Sequence, residues 1–471
     1  MLDRAFDPAA FRTQGHQLVD LLADHLGSVH RGEGKVLSWV DPAVALADCP
    51  PVGTTGATAA GLWRQLLSRS NQLHHPRYVG HQVNPVLPVA ALTELLGALL
   101  NNGMAVYEMG PLQTMMEQRV VEWMVRRLGM PQGADGVLTH GGSIGNLTAL
   151  HAARRHLGAR LGTEVTNGCI LASSQSHYCI ARAASLMGMG QDGVVQVGVD
   201  SRYRMRPEEL PRAVRTAEES GRRVVAVVAS ACSTATGSFD PVDEIADFCE
   251  QHGIWLHVDG AHGASFALSA RHRRLLRGTE RADSVVWDAH KMMMQPALVT
   301  AVLFRRAQDS FRTFAQEASY LFHARADAEW WNRGQRTVEC TKRALGATLY
   351  TSLAVFGEQC FEQFVDRCME VTAELVAMLR AAPDFEVATE PEANIVCFRH
   401  LPGDGSDLDA HQQRVRTALR ADGDFYLVQT TLPKGVFLRT TLVQPATTRA
   451  DLAALLDAVR AAAARTRAST P

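Results

Sequence analysis

The stretch Ser284-Val285-Val286-Trp287-Asp288-Ala289-His290-Lys291 decides how the whole chain is read. Its β-branched and aromatic run over 284–287 predicts a buried strand. Such a strand delivers Lys291 to its C-terminal end, where open parallel sheets hold their ligands. The thioether run Met292-Met293-Met294 follows directly. Apolar neighbours lower an amine's pKa, and an amine that sheds its proton is suited to forming a Schiff base. The competing reading is a solvated lysine that does no chemistry. The rest of the chain decides between the two.

Outward from that strand, 86–347 alternates helical stretches with short apolar runs at Gly168–Ala172, Val224–Ala229, Ile254–Val258 and Leu298–Phe304. This alternation predicts an α/β fold in which helices cover a mostly parallel central sheet. Upstream, Phe11, Leu18, Leu21, Leu22 and Leu26 recur at helical spacing, and Gly- and Pro-containing segments then run irregularly to about Pro85. Downstream, helical segments at Gly357–Arg380, Leu408–Arg420 and Arg449–Ala464 mix with strand-like Ile395–Arg399 and Val436–Leu442, a smaller α+β domain. The expected division is an N-terminal helical, dimerising segment over 1–85, a large domain over 86–348 and a small C-terminal domain over 349–471.

A chain of 471 residues, 46% hydrophobic and 20% charged, has material for a large core. A formal net charge of -2 gives no electrostatic reason to expect nucleic acid or an anionic membrane as partner. The N-terminus Met1-Leu2-Asp3-Arg4-Ala5-Phe6-Asp7 lacks an apolar targeting core, and no apolar run approaches a membrane span, so a cytoplasmic protein acting on a small molecule is expected. Nine cysteines without a CxxC pair indicate reduced packing thiols, with neither a zinc site nor a disulfide framework.

Three further segments carry chemistry. Gly136-Val137-Leu138-Thr139-His140-Gly141-Gly142-Ser143 precedes a helical run over 147–157, so it reads as strand, glycine turn and helix start. Backbone amides there, with the Ser143 hydroxyl, can bind a phosphate; a plain turn is the alternative. Asp259 ends the apolar run Ile254–Val258, where an acid needs a cationic or donor partner. His257, Asp259 and His262 could ligate a metal, but only His257 and Asp259 share a strand face, and no third ligand is placed by spacing. A protonated heteroaromatic nitrogen is the other partner Asp259 could have. His177 follows the run Gly168–Ala172 and brings an imidazole to the same sheet edge. Amine, phosphate cradle, acid and imidazole together meet the requirements of pyridoxal phosphate.

In order and spacing these segments resemble the fold-type I, group II pyridoxal-phosphate-dependent amino-acid decarboxylases, which act on glutamate, cysteine sulfinate, 2,4-diaminobutyrate or aromatic amino acids. The resemblance runs from His75-Pro76-Arg77-Tyr78 through Met104–Pro111 to Phe437-Leu438-Arg439. It implies that Lys291 holds the cofactor as a Schiff base, that His177 stacks on the ring, and that Asp259 pairs with the ring nitrogen. Ala261 would pack on the ring face and Thr234 would contact the cofactor. Gly142, Ser143 and His290 would meet the phosphate, joined by Asp288 where the family often has Asn. Ile144 and Gly145 also depart from the family's common Glu-Ala.

The implied reaction is loss of carbon dioxide from an L-amino acid and protonation of the α-carbon, with Tyr320 as the tyrosine that relatives use near that step. Relatives with Phe there tend to divert the intermediate to oxygen and an aldehyde. Other fold-type I outcomes, namely aldehyde synthesis, transamination or carbon-carbon lysis, are the alternative. Arg439 resembles an arginine that meets the substrate carboxylate, and His81, Gln82 and Asn84 fall where relatives recognise the side chain. The polar character of Gly80–Pro85 favours an acyclic, polar substrate such as 2,4-diaminobutyrate, aspartate, glutamate or cysteine sulfinate. By the same resemblance the protein is a homodimer with its active site at the subunit interface.

Overall fold

The β-branched runs of the middle of the chain pair with one another in a seven-stranded sheet. The computed structural model describes residues 2–53, 56–314 and 329–468. The strands are β1 (Asp135–Thr139), β2 (Gly168–Ser173), β3 (Val194–Val197), β4 (Arg223–Ser230), β5 (Trp255–Asp259), β6 (Ser284–Asp288) and β7 (Thr300–Phe304). Their order is β1-β7-β6-β5-β4-β2-β3. β2 to β6 run parallel, whereas β7 is antiparallel to both β6 and β1. Every residue of β5, β6 and β7 is buried, which is why these strands read as apolar runs with little alternation. The helix Gly142–Leu161 crosses β1 and β4 to β7, and its Leu150 and Ala153 share a core with Ile170, Val228, Val286 and Val302.

The chain divides into two compact units, and this sheet belongs to the one formed by 86–369 with 389–394. The other unit gathers 1–85, 370–388 and 395–471. It holds an antiparallel sheet of β8 (Phe385–Val387), β9 (Ile395–His400), β10 (Val428–Leu432) and β11 (Gly435–Thr441), in the order β10-β11-β9-β8. Helices Leu408–Asp422 and Arg449–Ala468 pack together there, with Val415 and Leu455 in a core shared with Phe398 and Leu438. The N-terminal segment is tied into the same unit, because Thr441 donates its backbone N–H to Val79 O at 2.9 Å and Leu37 donates to Gly423 O at 3.0 Å.

One stretch read as irregular is more ordered than its composition indicates. Between Leu26 and Pro85 lie helices Pro42–Asp48 and Ala59–Arg69, each started by a side-chain cap: Asp41 accepts from the Ala43 amide and Thr58 from the Gly61 amide. Among the described residues no helix is long and apolar enough to cross a membrane.

Candidate active site

The C-terminal ends of the parallel strands converge on one cavity of about 260 Å³. β6 delivers Lys291 through the short helical turn Ala289–Met292. The Lys291 side chain is 21% exposed, and its Nζ lies 3.0 Å from Asp288 Oδ2. Asp288 is 1% exposed; its Oδ1 accepts the Thr300 hydroxyl at 2.5 Å, and His290 Nε2 stands 3.6 Å from Oδ2. The expectation that apolar neighbours lower the lysine's pKa is corrected by this geometry. Burial does pull the amine down, but the carboxylates of Asp288 and Asp259 outweigh it and hold Lys291 above the ordinary lysine range. Met292, Met293 and Met294 are buried without setting the charge of their neighbour.

Asp259 closes β5 and is 8% exposed, with its Oδ1 accepting the Ala261 amide at 3.2 Å. Burial pushes this carboxyl above the usual range, with Lys291 and His177 opposing, so the acid is placed to gain from a further cation. His177 lies beyond β2. Burial lowers its pKa, Asp259 opposes that and Lys291 adds to it, leaving a neutral ring near neutrality. The Cys179 amide donates to His177 Nδ1 at 3.3 Å, so the neutral ring carries its proton on Nε2.

The turn after β1 explains its glycines. Gly141 has φ +89°, a left-handed conformation that a side chain would strain, and a Cβ there would also meet Leu298 at 3.2 Å. A Cβ on Gly142 would stand 3.2 and 3.3 Å from the Asp288 oxygens. At Gly145, Thr300, Val286 and Val302 fill the space in which an alanine methyl would sit, within 3.1–3.3 Å. Among the described residues no side chain caps the helix Gly142–Leu161, which leaves its first amides open for an anion. Gly142, Ser143, His177, Thr234, Asp259, Ala261, Asp288, His290 and Lys291 all line the cavity. The fit to pyridoxal phosphate is direct: an amine can meet its aldehyde, uncapped amides its phosphate, and a buried acid lacking a full counter-charge its ring nitrogen.

Two neighbours of this set escaped the reading of the sequence. Asn146 lines the cavity, and its Oδ1 lies 2.7 Å from His257 Nε2. Ser284 accepts the Trp255 indole N–H at 2.9 Å, so its own hydroxyl is free to donate to His257 Nδ1, also 2.9 Å away. With both nitrogens engaged by neutral partners, His257 supports the sheet beneath the cavity, and the metal reading loses its first ligand. The second neighbour is His140, whose Nδ1 meets Glu339 across 199 positions of sequence. Neither pairing leaves a local sequence signal. Tyr320 lies outside the described residues. His81, Gln82, Asn84 and Arg439 belong to the other unit. There Gly80 passes so close to Tyr426 that a Cβ would stand 2.5 Å from its ring, and the His81 ring lies 5.5 Å from that of Tyr426.

A mostly parallel sheet with a lysine, a buried acid and an uncapped glycine turn at one edge defines a fold-type I pyridoxal-phosphate enzyme. Comparison with known proteins narrows the class. Residues 66–401 match the family model described as the pyridoxal-dependent decarboxylase conserved domain. Cysteine sulfinic acid decarboxylase of Rattus norvegicus is 34% identical over 351 residues, covering 72% of this chain and 70% of the relative. L-2,4-diaminobutyrate decarboxylase of Rhizobium meliloti (strain 1021) is 29% identical over 461 residues, covering 95% and 91%. The crystal structure of mouse CSAD superimposes with a TM-score of 0.88 at 27% identity, covering 97% of this chain and 99% of that one. The chain belongs to the pyridoxal-dependent decarboxylase family and is a pyridoxal-phosphate-dependent amino-acid decarboxylase, a carboxy-lyase.

Proposed function

We propose that the substrate is an acyclic, polar L-amino acid of the class of 2,4-diaminobutyrate, aspartate, glutamate or cysteine sulfinate. The observation that carries this reading is a pair of buried amides with polar atoms left unpaired among the described residues. Gln82 and Asn84 are 8% and 1% exposed, and Gln82 Nε2, Asn84 Nδ2 and Asn84 Oδ1 make no hydrogen bond among the described residues. Each such group left dry costs roughly 1–3 kcal/mol, a cost that a polar ligand group relieves and an aromatic one does not. The names of the relatives above, which act on cysteine sulfinate and 2,4-diaminobutyrate, support the same class.

Bound pyridoxal phosphate supplies the electron sink that makes loss of carbon dioxide possible. The chain's own residues do the rest. Lys291 would hold the cofactor through its aldehyde carbon until a substrate amine takes its place. Asp259 would keep a proton on the ring nitrogen, Ala261 would leave room for a flat ring, and Thr234 would contact it. Gly142, Ser143 and His290 would hold the phosphate. His177 would donate from Nε2–H to the substrate carboxylate, and Arg439 stands at the position where the family offers that carboxylate a cation. Tyr320 is the proposed proton donor to the α-carbon.

A homodimer with the active site at its interface, in the cytoplasm, completes the reading. The helix Pro88–Leu100 leaves Leu92, Leu95, Leu96, Leu99 and Leu100 exposed, a face suited to a second copy, and the cavity-lining Leu298 is also exposed. No disulfide joins the nine cysteines among the described residues, as a reducing compartment would keep them. Carbon dioxide release across a panel of acyclic and aromatic amino acids tests the substrate class, with aromatic turnover as the refuting outcome. Lys291→Ala should fold yet lose the visible band of bound cofactor, and sedimentation of the holoenzyme should give twice the chain mass.

A further inference from the structure

We propose that Asp288 is the counter-ion and proton relay of Lys291 and that it does not ligate the cofactor's phosphate. This deepens the function proposed above and rests on Lys291 being the cofactor's anchor. Both carboxylate oxygens are committed: Oδ1 accepts the Thr300 hydroxyl at 2.5 Å, and Oδ2 stands 3.0 Å from Lys291 Nζ. The group is 1% exposed, and a Cβ on Gly142 would stand only 3.2 Å from it. An ionised carboxylate only accepts hydrogen bonds, and phosphate oxygens also accept, so the donor that an asparagine would offer a phosphate is absent here. The substitution of acid for amide therefore redirects this position from the anion to the amine.

Among the described residues the titratable groups around Nζ are few. Asp288 comes from β6, Asp259 from β5 and Cys232 from the loop after β4, while His177 follows β2 and His290 shares the turn. Of these, Asp288 is the one within hydrogen-bonding distance of Nζ. Loading the cofactor takes the nitrogen from three protons to one. The first passes to Asp288 Oδ2, the freed electron pair forms the bond to the aldehyde carbon, and two protons finally leave with the aldehyde oxygen as water. Asp288 returns the proton it borrowed, so charge and atoms balance.

The test follows capture of aldehyde by the full-length apoprotein as a function of pH, using pyridoxal phosphate and pyridoxal in parallel, with absorbance as the readout and borohydride trapping to locate the modified residue. In Asp288→Asn the pH midpoint of capture should fall by about 1–3 units, as expected for an amine that loses an opposite charge at contact distance, and by the same amount with both aldehydes. An unchanged midpoint overturns the proposal. So does an Asn variant that gains affinity for pyridoxal phosphate alone, because that result places the carboxylate against the phosphate. If the Asn variant does not fold, Thr300→Val gives the test with opposite sign. Without its hydroxyl donor the carboxylate holds the ammonium more tightly and the midpoint rises; a fall or no change refutes the relay. Failure of the unaltered protein to trap either aldehyde at Lys291 would instead remove the reading on which the proposal rests.

Discussion

Acidification should weaken the sheet beneath the active site through one residue, His257. Its side chain is fully buried, with Nε2 2.7 Å from Asn146 Oδ1 and Nδ1 2.9 Å from the Ser284 hydroxyl. Burial lowers its pKa from the ordinary value to about 3. The sign follows from linkage. Below the unfolded value of about 6.5 the unfolded chain binds a proton that the native chain refuses, so stability is complete above that pH and drains away down to the folded value. At ~1.36 kcal/mol per pKa unit the full effect approaches about 5 kcal/mol, of which about 2 kcal/mol is lost between pH 7 and pH 5. Urea unfolding of the unaltered protein and His257→Gln at those two pH values measures it. Glutamine does not titrate, so the variant should be less stable at pH 7 yet lose about 2 kcal/mol less on acidification. Equal losses in the two proteins would refute the reasoning.

Two more outcomes follow from buried polar groups. Glu117 is fully buried against Lys342 at 2.7 Å and Arg333 at 3.8 Å, so Glu117→Gln leaves two cations without their acid; it should cost about 3–5 kcal/mol, read as a fall in the urea midpoint. Asn84→Ala removes one of the unpaired amides and should raise KM for the best acyclic substrate by roughly 5- to 150-fold, the equivalent of about 1–3 kcal/mol, while the visible band of the cofactor stays in place.

The parts of the fold that were legible are those whose burial is two-sided. Val224–Ala229 and Ser284–Trp287 announce β4 and β6 because both faces of those strands are covered. β3 is four residues long at the sheet edge, with only Val197 fully buried, and leaves no comparable signal. The run Leu298–Phe304 also reads as strand throughout, yet pairing begins at Thr300, because Val299 O and N face the Ala289 amide and the His290 ring instead. The strand-end residues of the site were legible because each follows an apolar run. What supports them was not. Arg333 and Gln335 are polar residues in an irregular stretch, yet both are buried, and Arg333 is drawn inward by Glu117, more than two hundred positions upstream. The sign of the field at Lys291 was hidden for a related reason: sequence neighbours are thioethers, whereas spatial neighbours are carboxylates.

The position of β7 has a consequence for biosynthesis. β1 carries the glycine turn, but among the described residues its one partner in the sheet is β7, with Thr139 opposite Thr300. A ribosome therefore releases about 160 residues after the glycine turn before that strand finds its ladder, and until then β1 presents open amides and carbonyls to the cell. The cofactor cradle can close only once β7 has emerged. Nascent chains stalled before residue 300 should thus be clients of chaperones and poor ligands for pyridoxal phosphate, however complete the rest of their sheet.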